Sequence, residues 1–157
     1  MTAAEMAKAI GARFSDVHEI PKSATQVRGD ELYLSVPPAR LREICEFLRS
    51  DASFDCDYLS FLTAIDWKTY FEAVYYLVSN THRHKVVLKV RLEPHDSAKA
   101  PSVISIWPAA DWQERELFDL MGIHFEGHPN LRRLLLPDDW EGHPLRKDYV
   151  AKPDRYD

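Results

Sequence analysis

Residues 114–119 read Glu-Arg-Glu-Leu-Phe-Asp and set Glu114, Arg115, Glu116 and Asp119 within two turns of any helix they form. Arg115 and Asp119 then stand at i, i+4, a pairing on a solvated face worth about 0.2–0.5 kcal/mol. Against a partner surface the same charges would make ion pairs across an interface. In a pocket that perturbs a pKa, two acids flanking an arginine would serve acid-base catalysis. His124 and His128 have the i, i+4 spacing of many zinc sites, and His143 offers a third imidazole, with Glu116 or Asp119 as base. Gly122, Gly127 and Pro129 break any helix through that pair, and no cysteine lies nearby to complete a ligand set. His82 and His84 read as surface or turn hydrogen-bonding residues. No two glycines are nearer than five residues, and the chain holds neither a GxGxxG nor a GxxxxGKS/T nor a GxSxG, so no dinucleotide, flavin, ATP or nucleophile-elbow fingerprint is present.

Beyond Gly122 the sequence resists a core explanation. Arg132, Arg133, Arg146 and Lys147 are interrupted by Pro129, Pro137 and Pro144, so the segment cannot bury a face of its own. Leu131, Leu134, Leu135, Leu136, Trp140 and Leu145 make it too apolar for a free tail. An extended arm laid over a partner accounts for both properties, since arginine with aromatic and leucine anchors is the composition of a desolvated interface.

These residues need a body to position them, and 157 residues suffice for one domain that buries about two-thirds of its unfolded surface. A composition of 45% hydrophobic and 29% charged residues is that of a soluble globular protein. The net charge of -5 lies entirely in residues 51–127, so the arginines of the tail sit among equal numbers of acids, unlike a polycationic arm for nucleic acid. Cys45 and Cys56 are too few for a disulfide framework or a four-thiolate cluster, which indicates a reducing compartment. Residues 1–14 lack the apolar segment of a secretory signal and predict a mature cytosolic start. The apolar run at 59–65 is far below the roughly 20 residues of a membrane-spanning helix, so any work at a membrane is expected through partners, without direct membrane insertion.

Residues 2–13 predict a helix with Ala3, Met6, Ala7 and Ile10 on one face. Residues 16–36 read as two strands, the second alternating Leu32, Leu34 and Val36 with Tyr33 and Ser35, and Arg28-Gly29-Asp30 as the turn between them. Pro37-Pro38 opens a helix bearing Leu41, Ile44, Cys45 and Leu48 at i, i+3, i+4, i+7. Residues 58–66 predict a buried strand, Trp67-Lys68-Thr69 a turn, and 70–79 a strand apolar on both faces. In 84–92, Val86, Leu88, Val90 and Leu92 face one way and Lys85, Lys89 and Arg91 the other. Residues 93–101 read as a polar loop and 102–108 as a short helix or strand. Asp111 and Glu114 have capping-box spacing for a helix over 111–121 that Gly122 ends, and beyond it only a turn at 131–136 is expected. The fold class is α+β, a two-layer sandwich in the order α-β-β-α-β-β-β with a mainly antiparallel sheet, then a helix and an extended C-terminal arm. The compact domain is expected over 1–121 and the interaction arm over 122–157.

The chain also resembles a known family, the thirty-kilodalton or C subunit of proton-translocating NADH:quinone oxidoreductase (respiratory complex I). Glu114-Arg115-Glu116, Asp119, Leu120-Met121, His128, Arg132 and Leu134-Leu135 meet that family's signature in full. Trp140-Glu141-Gly142-His143-Pro144-Leu145-Arg146-Lys147-Asp148-Tyr149 is similar to its closing motif. The likeness extends more weakly through Leu62-Thr63-Ala64-Ile65-Asp66, Phe71-Glu72 and Pro101-Ser102, while Phe61, Tyr70 and Val150 depart from the pattern.

The resemblance implies a non-catalytic accessory subunit of the peripheral arm, supporting assembly and electron transfer from NADH to quinone. It implies no cofactor in this chain, with flavin, iron-sulfur clusters and quinone in partner subunits. The implied partners are other hydrophilic-arm subunits, chiefly the D subunit that forms the quinone pocket, with the B, G and I subunits, on the cytoplasmic side of the energy-transducing membrane. Interface residues would be Glu114, Arg115, Glu116, Asp119, His128, Arg132, Arg133, Trp140, Pro144, Leu145, Arg146, Lys147 and Asp148. Among them, Arg132, Arg133 and Arg146 would reach acids or carbonyls of partners, and Trp140 would fill a partner pocket. The alternatives are the equivalent subunit of a membrane-bound hydrogenase or deazaflavin-dependent dehydrogenase, and a free-standing metalloenzyme using His124, His128 and His143.

Overall fold

A computed structural model describes residues 1–21 and 29–151. Arg28 of the expected turn and residues 152–157 of the expected arm lie outside the described residues. Helix α1 (Ala3–Arg13) begins with a reciprocal cap: the Thr2 hydroxyl accepts the Glu5 N–H, and the Glu5 carboxylate accepts the Thr2 N–H. Pro38–Arg40 form one 3-10 turn that feeds helix α2 (Leu41–Ser50), whose Leu41, Ile44, Cys45 and Leu48 are all fully buried. Each such aliphatic side chain contributes about 1.5–3 kcal/mol on leaving water.

Strands β1 (His18–Glu19), β2 (Leu32–Ser35), β3 (Tyr58–Asp66), β4 (Phe71–Val78) and β5 (Lys85–Leu92) form one sheet in the order β1-β2-β5-β4-β3. Every neighbouring pair is antiparallel except β2 with β5, which the chain joins only after passing through α2 and the β3–β4 hairpin. Leu34, Leu88, Tyr75 and Leu62 stand opposite one another across four strands and are all buried. This inner face meets Met6 and Ile10 of α1 and Ile44 and Leu48 of α2 in a single core, which is the α+β arrangement the pattern predicts.

Strand β3 is not the buried strand its composition suggested. It lies at the sheet edge with Tyr58, Phe61 and Ile65 exposed, because its apolar residues divide between both faces. Phe61 stacks on Tyr76 at 4.8 Å on the outer face. The expected loop at 93–101 ends instead in strand β6 (Lys99–Pro101), paired in parallel with β7 (His124–Glu126), where only a tail was expected. Ala98, Ala100, Ile123 and Phe125 alternate inward there, a period too short to read from sequence. Residues 102–108 form turns, neither helix nor strand, and the Trp107 indole N–H donates to the Cys56 carbonyl at 3.0 Å.

Helix α3 (Ala110–Met121) carries no capping box. Its N-cap is Ala109, without a side-chain bond, and Glu114 turns inward instead of back to the helix start. Gly122 does end it, in the left-handed region at φ 76°. A Cβ there would also stand 2.7 Å from the His143 ring, so the position requires glycine twice over. Among the described residues no helix is long and apolar enough to cross a membrane.

Candidate functional site

Most of the charged residues of α3 turn into the chain, and Glu116 alone of the Glu114–Asp119 motif is exposed. Three of them tie segments of the chain to the helix. Glu114 is fully buried and accepts the Ser102 hydroxyl at 2.6 Å and the Val103 N–H at 2.8 Å, fixing the segment that leaves β6. Burial lifts its carboxyl above the ordinary glutamate value, against the lowering effect of those two donors. Arg115 donates to the carbonyls of Arg132 and Arg133 at 3.2 and 3.3 Å.

Asp119 is the strongest anchor. One carboxylate oxygen accepts the N–H groups of Leu134, Leu135 and Leu136 at 3.0, 2.7 and 3.0 Å, and the other accepts the Arg133 guanidinium at 2.8 Å. Burial pushes this carboxyl up, but the three backbone donors and Arg133 outweigh it and hold it below the usual aspartate range. Arg133 donates onward to the carbonyls of Trp140 and Gly142, and His143 Nδ1 donates to the Asp119 carbonyl at 2.8 Å.

The tail is therefore a strap laid along α3. At its start, His128 Nδ1 accepts the Asn130 N–H, so the proton sits on Nε2 and is directed at the Asp111 carbonyl at 3.3 Å. Near its end, the Leu145 N–H donates to the Leu120 carbonyl and the Lys147 N–H to Asp66 at 2.7 Å. Asp66 closes β3 and also accepts from the Lys68 N–H at 2.6 Å and from His95 Nε2 at 2.9 Å. Despite burial, these donors keep its carboxyl below the ordinary value. Arg146 is the cation of this corner: it grips both oxygens of Asp148 at 2.9 Å, reaches Asp96 at 2.8 Å and donates to His95 Nδ1 at 3.0 Å. Arginine has no lone pair to give, so in this contact His95 Nδ1 is the acceptor, and the ring is stacked 4.3 Å from Phe71.

Arg133 and Arg146, expected to reach partners, are thus engaged inside the chain, because the strap folds back on its own domain. Asp148 is taken up by Arg146, and Pro144 is half-buried. Arg132, Glu116, Lys147, Leu145 and Trp140 remain outward, with Leu145 and Trp140 58% and 38% exposed. The structure does not bring His124, His128 and His143 together: His124 is exposed, and the other two hold backbone carbonyls. Among the described residues the grouping of metal-ligand type that does form is Asp66, His95 and Asp148, which are engaged by N–H donors and by Arg146. Sequence reasoning missed His95, and it reached Ser102 only through the weaker part of the family likeness. Asp66 carried a signal, an acid ending an apolar run; His95, inside a polar loop, carried none.

Fold and site together define a small α+β domain whose charged motif locks a proline-broken strap along one helix and one strand end. The chain belongs to the family described as "Respiratory-chain NADH dehydrogenase, 30 Kd subunit", which residues 34–155 match. It is 44% identical over 128 residues to the C subunit of NADH-quinone oxidoreductase from Roseiflexus sp. (strain RS-1), covering 80% of this chain and 72% of that one. It is 40% identical over 149 residues to the protein of that name from Salinispora arenicola (strain CNS-205), covering 92% of this chain but only 60% of the relative. Among solved structures it superimposes, with a TM-score of 0.74 and 27% identity, on a chain of the membrane-bound sulfane sulfur reductase, an archaeal respiratory membrane complex. That match covers 94% of this chain and 85% of the other.

Proposed function

We propose that this chain is an accessory, non-catalytic subunit in the peripheral arm of a proton-translocating NADH:quinone oxidoreductase. It braces the assembly while flavin, iron-sulfur clusters and quinone are held by other subunits. The observation that carries this reading is the use of the family's charged signature: Glu114, Arg115 and Asp119 hold chain segments in place, and the strap so fixed presents Leu135, Trp140 and Leu145 outward. Exposed leucine and tryptophan on a rigidly held segment are the anchors an interface needs. The partners proposed are the D subunit that forms the quinone pocket, with the B, G and I subunits, on the cytoplasmic side of the membrane. The likeness to a chain of an archaeal sulfane sulfur reductase favours one second reading, the equivalent subunit of a related membrane oxidoreductase.

The test is to isolate the tagged chain from native membranes and identify what accompanies it. Flavin-bearing and NADH-binding subunits alongside a quinone-pocket subunit are expected. A sulfur reductase or hydrogenase complement would select the second reading, and a chain that leaves the membranes alone would overturn both. The purified chain by itself should be colourless and free of stoichiometric metal.

A further inference from the structure

Of the charged side chains on the signature helix, Glu114, Arg115 and Asp119 are engaged inside the chain, while Glu116 is exposed with no partner among the described residues. In the strap, Arg133, Arg146 and Asp148 are engaged, but the Lys147 ammonium is free among the described residues although its backbone N–H is held by Asp66. These two unmatched and opposite charges line the same groove, of about 360 Å³. Residues 62–66 of β3 form one wall, Leu117 and Leu120 of α3 stand with Glu116 on the other, and Leu145 and Lys147 lie at the strap side.

Strand β3 is the outermost strand of the sheet. The Trp67 N–H donates to the Tyr70 carbonyl across the hairpin, and pairing in an antiparallel ladder alternates residue by residue. Ile65 and Thr63 therefore turn their backbone groups toward β4, while Asp66, Ala64 and Leu62 turn theirs into the groove. Leu62 bears this out, since its N–H donates to the side-chain Oε1 of Gln113, an amide standing where the carbonyl of another strand would stand. The Ala64 N–H and C=O and the Leu62 C=O have no partner among the described residues. Exposed Phe61 and Ile65 flank this edge, the composition that makes an edge strand prone to pairing.

We propose that the groove is a strand-addition site: an extended segment of a partner polypeptide lies along β3, pairs with Ala64, and presents a basic side chain to Glu116 and an acidic one to Lys147. The inference rests on the reading of the chain as a subunit and names one contact of that subunit. Unpaired backbone donors and acceptors in strand register are matched by another extended backbone, and the flanking charges select its sequence. The five residues of this wall take a segment of four or five residues, about 13–17 Å long. A second copy fits poorly, because α3 stands beside the edge and its twin would meet it before two β3 strands could pair.

Backbone amide exchange tests this in the membrane assembly isolated through a tag on this chain, with the chain alone as reference. The Ala64 amide is expected to exchange about a hundredfold more slowly in the assembly. Ala64→Pro removes the outward donor without touching β4, and an edge strand tolerates proline, so the isolated chain should keep its melting temperature. Incorporation into the assembly should fall by about tenfold. A photo-crosslinking amino acid in place of Glu116 should map to an extended stretch of another subunit. An Ala64 amide equally fast in both samples overturns strand addition and leaves the subunit reading standing; crosslinks to a second copy of this chain overturn the partner. Failure of the wild-type chain to enter any assembly overturns both.

Discussion

Asp119 and Glu114 lie five residues apart on one helix and answer to pH in opposite senses. The folded-state carboxyl of Asp119 is held below its ordinary value, so its stabilisation is complete above an unfolded pKa of about 3.9 and is lost as pH falls through the lower folded value. Glu114 is raised, so the unfolded chain gives up this proton first, and stability falls as pH rises from about 4.3 toward the folded value. Denaturant titrations should show Asp119→Asn flattening the loss of stability between about pH 5 and 3. Glu114→Gln should remove the decline that follows on the alkaline side. A fall in the Asp119→Asn protein as steep as wild type would place the acid-sensitive group elsewhere. Removing one member of a buried pair costs about 3–5 kcal/mol where nothing relaxes. Here the strap can detach into water, so Asp119→Ala should appear as release of the strap. Tryptic cleavage after Arg132 and Arg133 should accelerate about tenfold or more, well before the domain unfolds.

At the scale of elements, α3 is a rail and Gly122 its stop. The left-handed turn sends the chain into β7, and the missing Cβ lets the His143 ring sit against the backbone, so helix end and strap are set by one residue. Gly122→Ala should cost about 2 kcal/mol or more, a drop of roughly 4–8 °C in melting temperature. Gly127→Ala is the control: its φ of 85° carries the same strain, but nothing lies within 4 Å of the new methyl group, so its cost should be smaller. Equal costs would show that His143 does not constrain the corner. Elements with their own period were legible in sequence, α2 and β5 above all, because a single face of each meets the core. The short β6–β7 ladder and the edge position of β3 were not, since three residues hold no period and an apolar strand does not announce which neighbour it lacks.

Over the whole molecule, the sequence motif does not disclose the direction in which its residues point. Charge and proline spacing identify a segment that needs a surface to lie on; only the fold shows that much of that surface is its own helix, through Asp119, Arg115 and Leu120. Arg132 and Arg146, alike in sequence, are thereby separated. Arg146 is gathered into Asp96, Asp148 and His95, whereas the exposed Arg132 guanidinium has no partner among the described residues, its carbonyl alone being held. Arg146→Ala should therefore loosen the isolated chain, lowering its melting temperature and freeing the strap end at Lys147. Arg132→Ala should leave the isolated chain's melting temperature within about 1 °C, as surface changes do, and act only on incorporation into the membrane assembly. Trp140→Ala and Leu145→Ala belong with Arg132, since anchors that face outward stabilise a complex and not the free domain. Unchanged incorporation in all three outward variants would mean that the strap is an internal brace, and that partners meet this chain at the β3 edge or elsewhere.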